Sequence, residues 1–428
     1  MSRTFALSPL AALDKTSIRA KEISSRTMTP LLPSTNKSAL RLRLAFCHNG
    51  IDHYDKLFLD RFASEFETYL LTFLPPVLSF KRVRVIQLPD FGKTMKIRKL
   101  NNIRIAIGTL WRIIQLRRYL SSIKPDISIG NWVTTYGLYA SICRQKPFVL
   151  FAYGSDIIVD PHRSFLHRLI TARVIESADI LLIDSEVQRR SVLALGCSPS
   201  KIVSFPWVNL DDLKEITADR TIRKRLKWQS KIVVVCVRKH EPIYSVDTLI
   251  RAIPLVLAKR PDVRFLIFGQ GAQTRLLIQL AKELKVTGAV SFAGNVPRTQ
   301  LLRYVKDCDV YVTPSLSDGC SSSLLEAMTL DTPVVVSSIP GNAEWISDGH
   351  NGVMFKPRDP TRLANAILRV VTNPQEAREY AHRASKEVRD RVDWRLASRE
   401  LIERMYQAYA TYEKTSHGQK NSNISSLQ

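Results

Sequence analysis

The sequence predicts an α/β protein of two successive, Rossmann-like doubly wound domains facing a central cleft. Three observations carry that prediction. Short apolar runs rich in β-branched residues recur from residue 42 to residue 337, as expected of parallel strands buried on both faces. Segments of helical period lie between them, which is the alternation of a parallel sheet wrapped by helices. One polar stretch, residues 209–227, interrupts the series and divides it in two.

Taken in order, residues 1–40 are rich in Ser, Thr, Pro and basic residues and carry only Asp14 and Glu22 as acids. They are expected to form a basic, disordered tail, with an organelle transit peptide as the other reading. A first domain is expected over 41–212, with strands at 42–46, 83–88, 126–130, 148–152 and 179–183 and an amphipathic helix at 163–177. A second is expected over 213–393. Its strands are read at 232–237, 263–268, 289–293, 309–313 and 333–337, and its helices at 246–258, 272–284, 298–306, 322–330 and 360–372. A helix at 394–413 is expected to pack back on the first domain, and 414–428 to be a polar tail. Two such domains on a short link open a crevice at the carboxyl ends of their strands.

Composition narrows the class. The apolar fraction of 45% and charged fraction of 24% suit a globular chain long enough, at 428 residues, for two cores. Cys47, Cys143, Cys197, Cys236, Cys308 and Cys320 are scattered without a CxxC or Cys/His cluster, which argues against a zinc site or a disulfide framework. Reduced thiols suit a cytoplasmic protein. No apolar run reaches the roughly 18–20 residues of a membrane span. Residues 102–120 come nearest and are broken by Arg104, Arg112, Arg117 and Arg118. If the protein meets a membrane, it lies on it.

The formal charge of +24 favours phosphate-rich partners. Helix-turn-helix, zinc-finger and RNA-binding motifs are not found, so nucleic acid is set aside as a partner.

The most specific segment is residues 314–328, PSLSDGCSSSLLEAM. A strand ends before it, its loop carries Asp318 and Gly319, and Ser321, Ser322 and Ser323 are good caps for the helix that follows. A helix N-terminus reached from a small-residue loop offers unpaired amides and a positive dipole end, a ready site for a diphosphate. With Glu326 read in the first helical turn, both carboxylates point into one cleft, one toward sugar hydroxyls and one toward a ribose. The plainer alternative stays open: Asp318 as a turn residue and Glu326 as a complement to the dipole.

Residues 314–355 resemble the signature of glycosyltransferase family 4, retaining enzymes of GT-B architecture. Those proteins carry an acid, seven intervening residues and a Glu. Here Asp318 stands where many members have Glu, with Glu326 at the same separation, followed in family order by Thr332-Pro333-Val334-Val335, Gly341-Asn342 and Asn351-Gly352. The resemblance spans about 42–412 and is strongest over 232–357. It implies that Glu326 binds the donor ribose, that Asp318 binds the transferred sugar, and that the amides of 319–324, Leu324 included, hold the diphosphate.

It also implies that Arg238, at the end of the strand at 232–237, grips phosphate oxygens as a planar fork. A surface arginine is the alternative. Tyr244-Ser245 occupies the place of a family Lys-Gly, with Lys239 as a substitute cation. Gly269 in the FGQG turn, and Asn295 with Val296 beside the base, complete the implied donor site. In the first domain Gly50, in the loop after the first strand, and Tyr153, where many members have His, are implied to face the donor sugar or acceptor. Asp156 is implied there too, with a helix-cap role as its alternative. Asp184-Ser185-Glu186 is read as a cap, and His48 as a structural histidine.

The implied activity is a retaining, metal-independent transfer from a nucleotide-diphosphate sugar, which is a co-substrate, with no cofactor. Between residues 81 and 118 eleven basic residues face the single acid Asp90, and 103–120 mixes Ile, Leu and Trp111 with arginines at helical spacing. That surface suits a glycan or lipid-linked acceptor on an anionic membrane surface. The alternatives are a solvated helix whose apolar residues are core and, at the level of function, a non-catalytic GT-B scaffold or partner subunit.

Overall fold

The computed structural model describes residues 41–48, 53–76, 78–90, 101–205 and 207–425; the tail expected at 1–40 and the expected contact at Gly50 lie outside them. Strands β1 (Arg43–Cys47), β2 (Glu67–Thr72), β3 (Val83–Gln87), β4 (Ile127–Asn131), β5 (Phe148–Phe151), β6 (Ile180–Ile183) and β7 (Ile202–Ser204) form one parallel sheet in the order 3-2-1-4-5-6-7. Strands β8 (Ile232–Val237), β9 (Val263–Phe268), β10 (Val290–Gly294), β11 (Val310–Thr313), β12 (Val334–Ser337) and β13 (Val353–Phe355) form a second, in the order 10-9-8-11-12-13.

The continuous apolar runs are central strands. Every residue of β5, β6, β11 and β12 is buried, because helices cover both faces of each sheet. Local signals set the helix starts. Ser185 accepts from the Gln188 amide before Glu186–Ala194, and Asp359 accepts from the Arg362 amide with Pro360 at the first helical position.

The strands not anticipated are β2, β7 and β13, along with helices His53–Glu65 and Pro374–Arg391. β7 and β13 have three residues each, too few for periodicity to register, and β2 mixes polar and apolar positions. The final helix runs Trp394–Ser425, longer than expected, and its Leu401, Ile402 and Met405 are buried with Phe46, Phe58 and Phe62 of the first lobe. Helix Asn101–Ile123 divides its apolar residues. Leu116 and Leu120 enter the core, whereas Ile107, Leu110 and Ile114 are exposed. Among the described residues no helix is long and apolar enough to cross a membrane.

Candidate functional site

Each sheet reverses its strand order once, between β1 and β4 and between β8 and β11, and crevices form at the carboxyl ends of strands at such points. A pocket of about 460 Å³ joins the two. His48 follows β1, Asn131 ends β4 and Trp132 follows it; from the second lobe come Lys239, Tyr244, Ser317 and Asp318. An adjoining pocket of about 310 Å³ is lined by Arg238, Tyr244, Gly269, Gly294, Asn295 and Val296.

Arg238 follows directly on β8. Its Nε donates to Thr313 Oγ1 of β11 at 2.8 Å, and its Nη2 donates to Ser321 Oγ and pairs with Asp318 Oδ2 at 3.0 Å. The guanidinium sits 5.4 Å from the centroid of the Tyr244 ring, a cation–π contact. Three partners thus aim one buried cation at the cleft, so it is no free surface arginine. Gly269 makes this possible. Its φ is +107°, and a Cβ there would lie 2.0 Å from the Arg238 carbonyl oxygen.

Tyr244 occupies the expected position, and burial pushes its hydroxyl above the ordinary value while Arg238 pulls the other way. Ser245 takes the left-handed conformation (φ +48°), the backbone that a glycine adopts without strain. Lys239 is exposed and lines both pockets.

The helix begins at Ser322, capped by Ser321, whose hydroxyl accepts from the Leu324 amide at 3.3 Å. Two expectations are thereby corrected. The Leu324 amide is consumed by its own cap, and the side chain lies in the core. The Cys320 amide donates across the cleft to Asp184 Oδ1 at 3.1 Å. The amides of Gly319, Ser322 and Ser323 have no acceptor among the described residues.

Glu326 lies in the second turn, one turn deeper than anticipated, so it does not complement the dipole. Its Oε1 accepts from Arg298 Nε at 3.0 Å, Arg298 Nη2 at 2.6 Å and the Tyr54 hydroxyl at 2.7 Å.

In the first lobe the Tyr153 hydroxyl reaches Asp55 Oδ1 at 2.8 Å and Asn131 Oδ1 at 2.9 Å. Its ring stacks with Trp132 and Trp207, centroids 5.4 and 4.9 Å away. Trp132 has a φ of +65° and opens a π-helical turn, Trp132–Gly137, that carries Thr135 and Tyr136 to the pocket wall. Backbone strain and π-turns of this kind concentrate at functional sites.

Asp156 is a correction. It is wholly buried, its oxygens accept from the amides of Val133, Tyr153 and Gly154, and it does not line the pocket. Burial raises its carboxyl to about 6. It fixes the loop beneath Tyr153, and the cap alternative does not hold either: the helix that carries it, Ser155–Ile158, has no side-chain cap.

Asp184 does not cap a helix; Ser185 does. Burial, then the charge of Asp318, holds the Asp184 carboxyl well above the usual range. Glu344 of the second lobe accepts from the amides of Glu186 and Val187 at 2.9 and 2.8 Å, and so closes the first turn of that helix from across the cleft. His48 is buried and lines the pocket, 3.8 Å from Asp55.

Sequence reasoning missed Tyr54, Arg298, Thr313 and Glu344. Arg298 left a trace: it is the first residue of helix Arg298–Asp307, where a cation opposes the dipole unless a specific anion holds it.

Two parallel sheets with facing switch points, and an arginine fork at the joint, define a protein of the GT-B class. The family model for glycosyl transferases group 1 matches residues 218–391, and that for glycosyl transferase 4-like proteins matches 77–185, together about two thirds of the chain. Both models describe glycosyl transferases, and the chain belongs to that family. It is 28% identical over 230 residues to a glycogen synthase of Mycobacterium tuberculosis, covering 52% of this chain and 56% of that one. It is also 28% identical over 220 residues to a D-inositol 3-phosphate glycosyltransferase of a Nocardioides species, covering 47% and 48%. The match thus spans about half the length of these curated relatives.

Among solved structures, sucrose-phosphate synthase of Thermosynechococcus elongatus superposes with a TM-score of 0.72 at 18% identity, over 87% of this chain and 100% of that one. HepE of Anabaena, solved with UDP-glucose, gives 0.69 at 16%, over 86% and 100%. These likenesses establish the shared fold.

Proposed function

We propose that this chain is a retaining, metal-independent glycosyltransferase that moves a sugar from a nucleoside diphosphate to a glycan or lipid-linked acceptor at an anionic membrane surface. The observation that carries the donor reading is Arg238, which lines the second-lobe pocket adjoining the interlobe one and is held at its strand end by Thr313, Asp318 and Ser321. A diphosphate placed beside it meets the guanidinium, the Lys239 ammonium and the amides of Gly319, Ser322 and Ser323. Charge develops on the leaving diphosphate as the glycosidic C–O bond breaks, and fixed donors aimed there are usually the largest catalytic contribution. Asp318 accepts hydroxyls of the transferred sugar, Glu326 those of the ribose, and Asn295 with Val296 borders the base. The acceptor hydroxyl attacks from the face that the diphosphate leaves and passes its proton to a departing phosphate oxygen, so no protein nucleophile is needed. One pocket holding both the acceptor end (His48, Trp132, Tyr136) and the diphosphate end (Lys239, Asp318) suits that course.

The membrane reading rests on one face of the first lobe. Helix Leu138–Cys143 packs between helices Asn101–Ile123 and Phe165–Ser177. Across these three, Ile107, Leu110, Ile114, Ile142, Phe165 and Leu169 are exposed, Phe165 at 81%. Arg117, Arg118, Arg144 and Arg168 are exposed among them. Exposed apolar side chains and arginines on the same three helices suit the interface of an anionic leaflet, and the buried Tyr139 of the middle helix lines the pocket.

A thermal-shift panel of UDP-, GDP- and ADP-sugars identifies the donor, because a ligand of the folded state raises stability. With that donor, Arg238→Ala is expected to lose about 10²–10³ in turnover while remaining folded. Near-normal turnover in that variant removes the site assignment. A folded wild-type protein that binds donor but neither hydrolyses nor transfers it would favour the scaffold reading.

A further inference from the structure

The structure assigns to Tyr54 and Arg298 the positioning of Glu326 for the donor ribose, and through Tyr54 it makes ribose recognition depend on closure of the lobes. This rests on the proposed reading of Glu326 as the ribose contact. The geometry is asymmetric within one carboxylate. Oε1 takes both Arg298 donors and the Tyr54 hydroxyl, whereas Oε2 has no partner among the described residues. One oxygen is saturated by protein and the other is left to accept from a ligand. Glu326 is only 5% exposed, so its orientation is set by these contacts.

The three residues come from different parts of the chain. Tyr54 is the second residue of helix His53–Glu65 in the first lobe, and Arg298 and Glu326 belong to the second. The Arg298 guanidinium lies 5.6 Å from the Tyr54 ring centroid, which adds a cation–π contact across the same gap. Asp212, in the link between the lobes, stands 3.9 Å from Arg298 Nη1 and 3.3 Å from His53 Nε2, bracing both sides. When the lobes part, Tyr54 leaves with the first lobe and Glu326 loses one of its three Oε1 donors. The carboxylate is then free to turn toward Arg298, and ribose binding in that state forfeits the preset acceptor.

The test compares UDP, GDP and ADP with their 2′,3′-dideoxy counterparts by calorimetry, in the full-length protein and in Tyr54→Phe, Arg298→Gln and Glu326→Gln, each checked for folding by thermal melting. In the wild type, the diphosphate that binds is expected to exceed its dideoxy form by about tenfold to a hundredfold, as for hydrogen bonds to a charged group. That ratio is expected to fall several-fold in Tyr54→Phe and to approach unity in Arg298→Gln and Glu326→Gln. A purely structural role for Tyr54 would lower the melting temperature and leave the ratio intact. An unchanged ratio in Tyr54→Phe, with the ratio lost in Glu326→Gln, overturns the cross-cleft role and leaves the ribose contact standing. An unchanged ratio in Glu326→Gln, or no ratio in the wild type, overturns both.

Discussion

Replacing Gly319 by alanine tests how the two lobes meet at the site. A Cβ at this position falls 2.5 Å from Gln188 Nε2 and 2.8 Å from Asp184 Oδ1, both in the opposite lobe, where ordinary contact begins at 3.4 Å. Relief requires a separation of roughly 1 Å. The neighbours have little room to yield. Gln188 is fully buried and its Oε1 accepts from the Asp184 amide at 2.9 Å, while Asp184 itself holds the Cys320 amide. The strain therefore moves the loop that carries Asp318, or it separates the lobes. A misplacement near 1 Å at a reacting centre costs on the order of 10²-fold in rate, and overpacking costs about 1–3 kcal/mol in stability. The assay is kcat/KM for sugar transfer alongside thermal melting, with Gly288→Ala as control because a Cβ there meets open space. Transfer within twofold of the wild type in Gly319→Ala, with unchanged melting, would refute the interlobe contact described here.

Two further predictions concern the frame around the site. The Asp156 carboxyl is raised from 3.8 to about 6 by burial. The folded state thus holds this proton more tightly than the unfolded chain, and the stability it contributes, up to about 3 kcal/mol, is complete below pH 3.8 and lost as pH rises through 6. Subtracting the unfolding curve of Asp156→Asn should expose that slope between pH 4 and 7; parallel curves would contradict it. Leu401→Ala should destabilise the protein by about 2–5 kcal/mol in urea unfolding, because Leu401 on the final helix is fully buried in the first lobe's core. Leu276→Ala, at a residue 66% exposed, should change little, and equal effects at the two sites would argue against that docking.

The sequence was most informative where chemistry and period coincide. The run at residues 232–237 is a strand buried along its centre because a continuous apolar run has no polar face to show to water. The loop from Asp318 and the Ser321 cap were legible because a turn, a cap and an apolar helix follow one another within a dozen residues. Glu326 was placed correctly in the chain and one turn wrongly in the helix, since a cap position can shift among three consecutive serines.

What the amino-acid order determined alone was local: the alternation of strand and helix, the two-lobe division and the candidate phosphate loop, all read within spans of a few tens of residues. The tertiary structure alone decided which amides remain open. Cys320 gives its amide to Asp184, 136 positions distant. It also decided that Asp156 is internal and that Tyr54 meets Glu326 across 272 positions. The reason is physical. A hydrogen bond between lobes depends on how two sheets are turned toward each other, and no periodicity along one chain encodes that orientation.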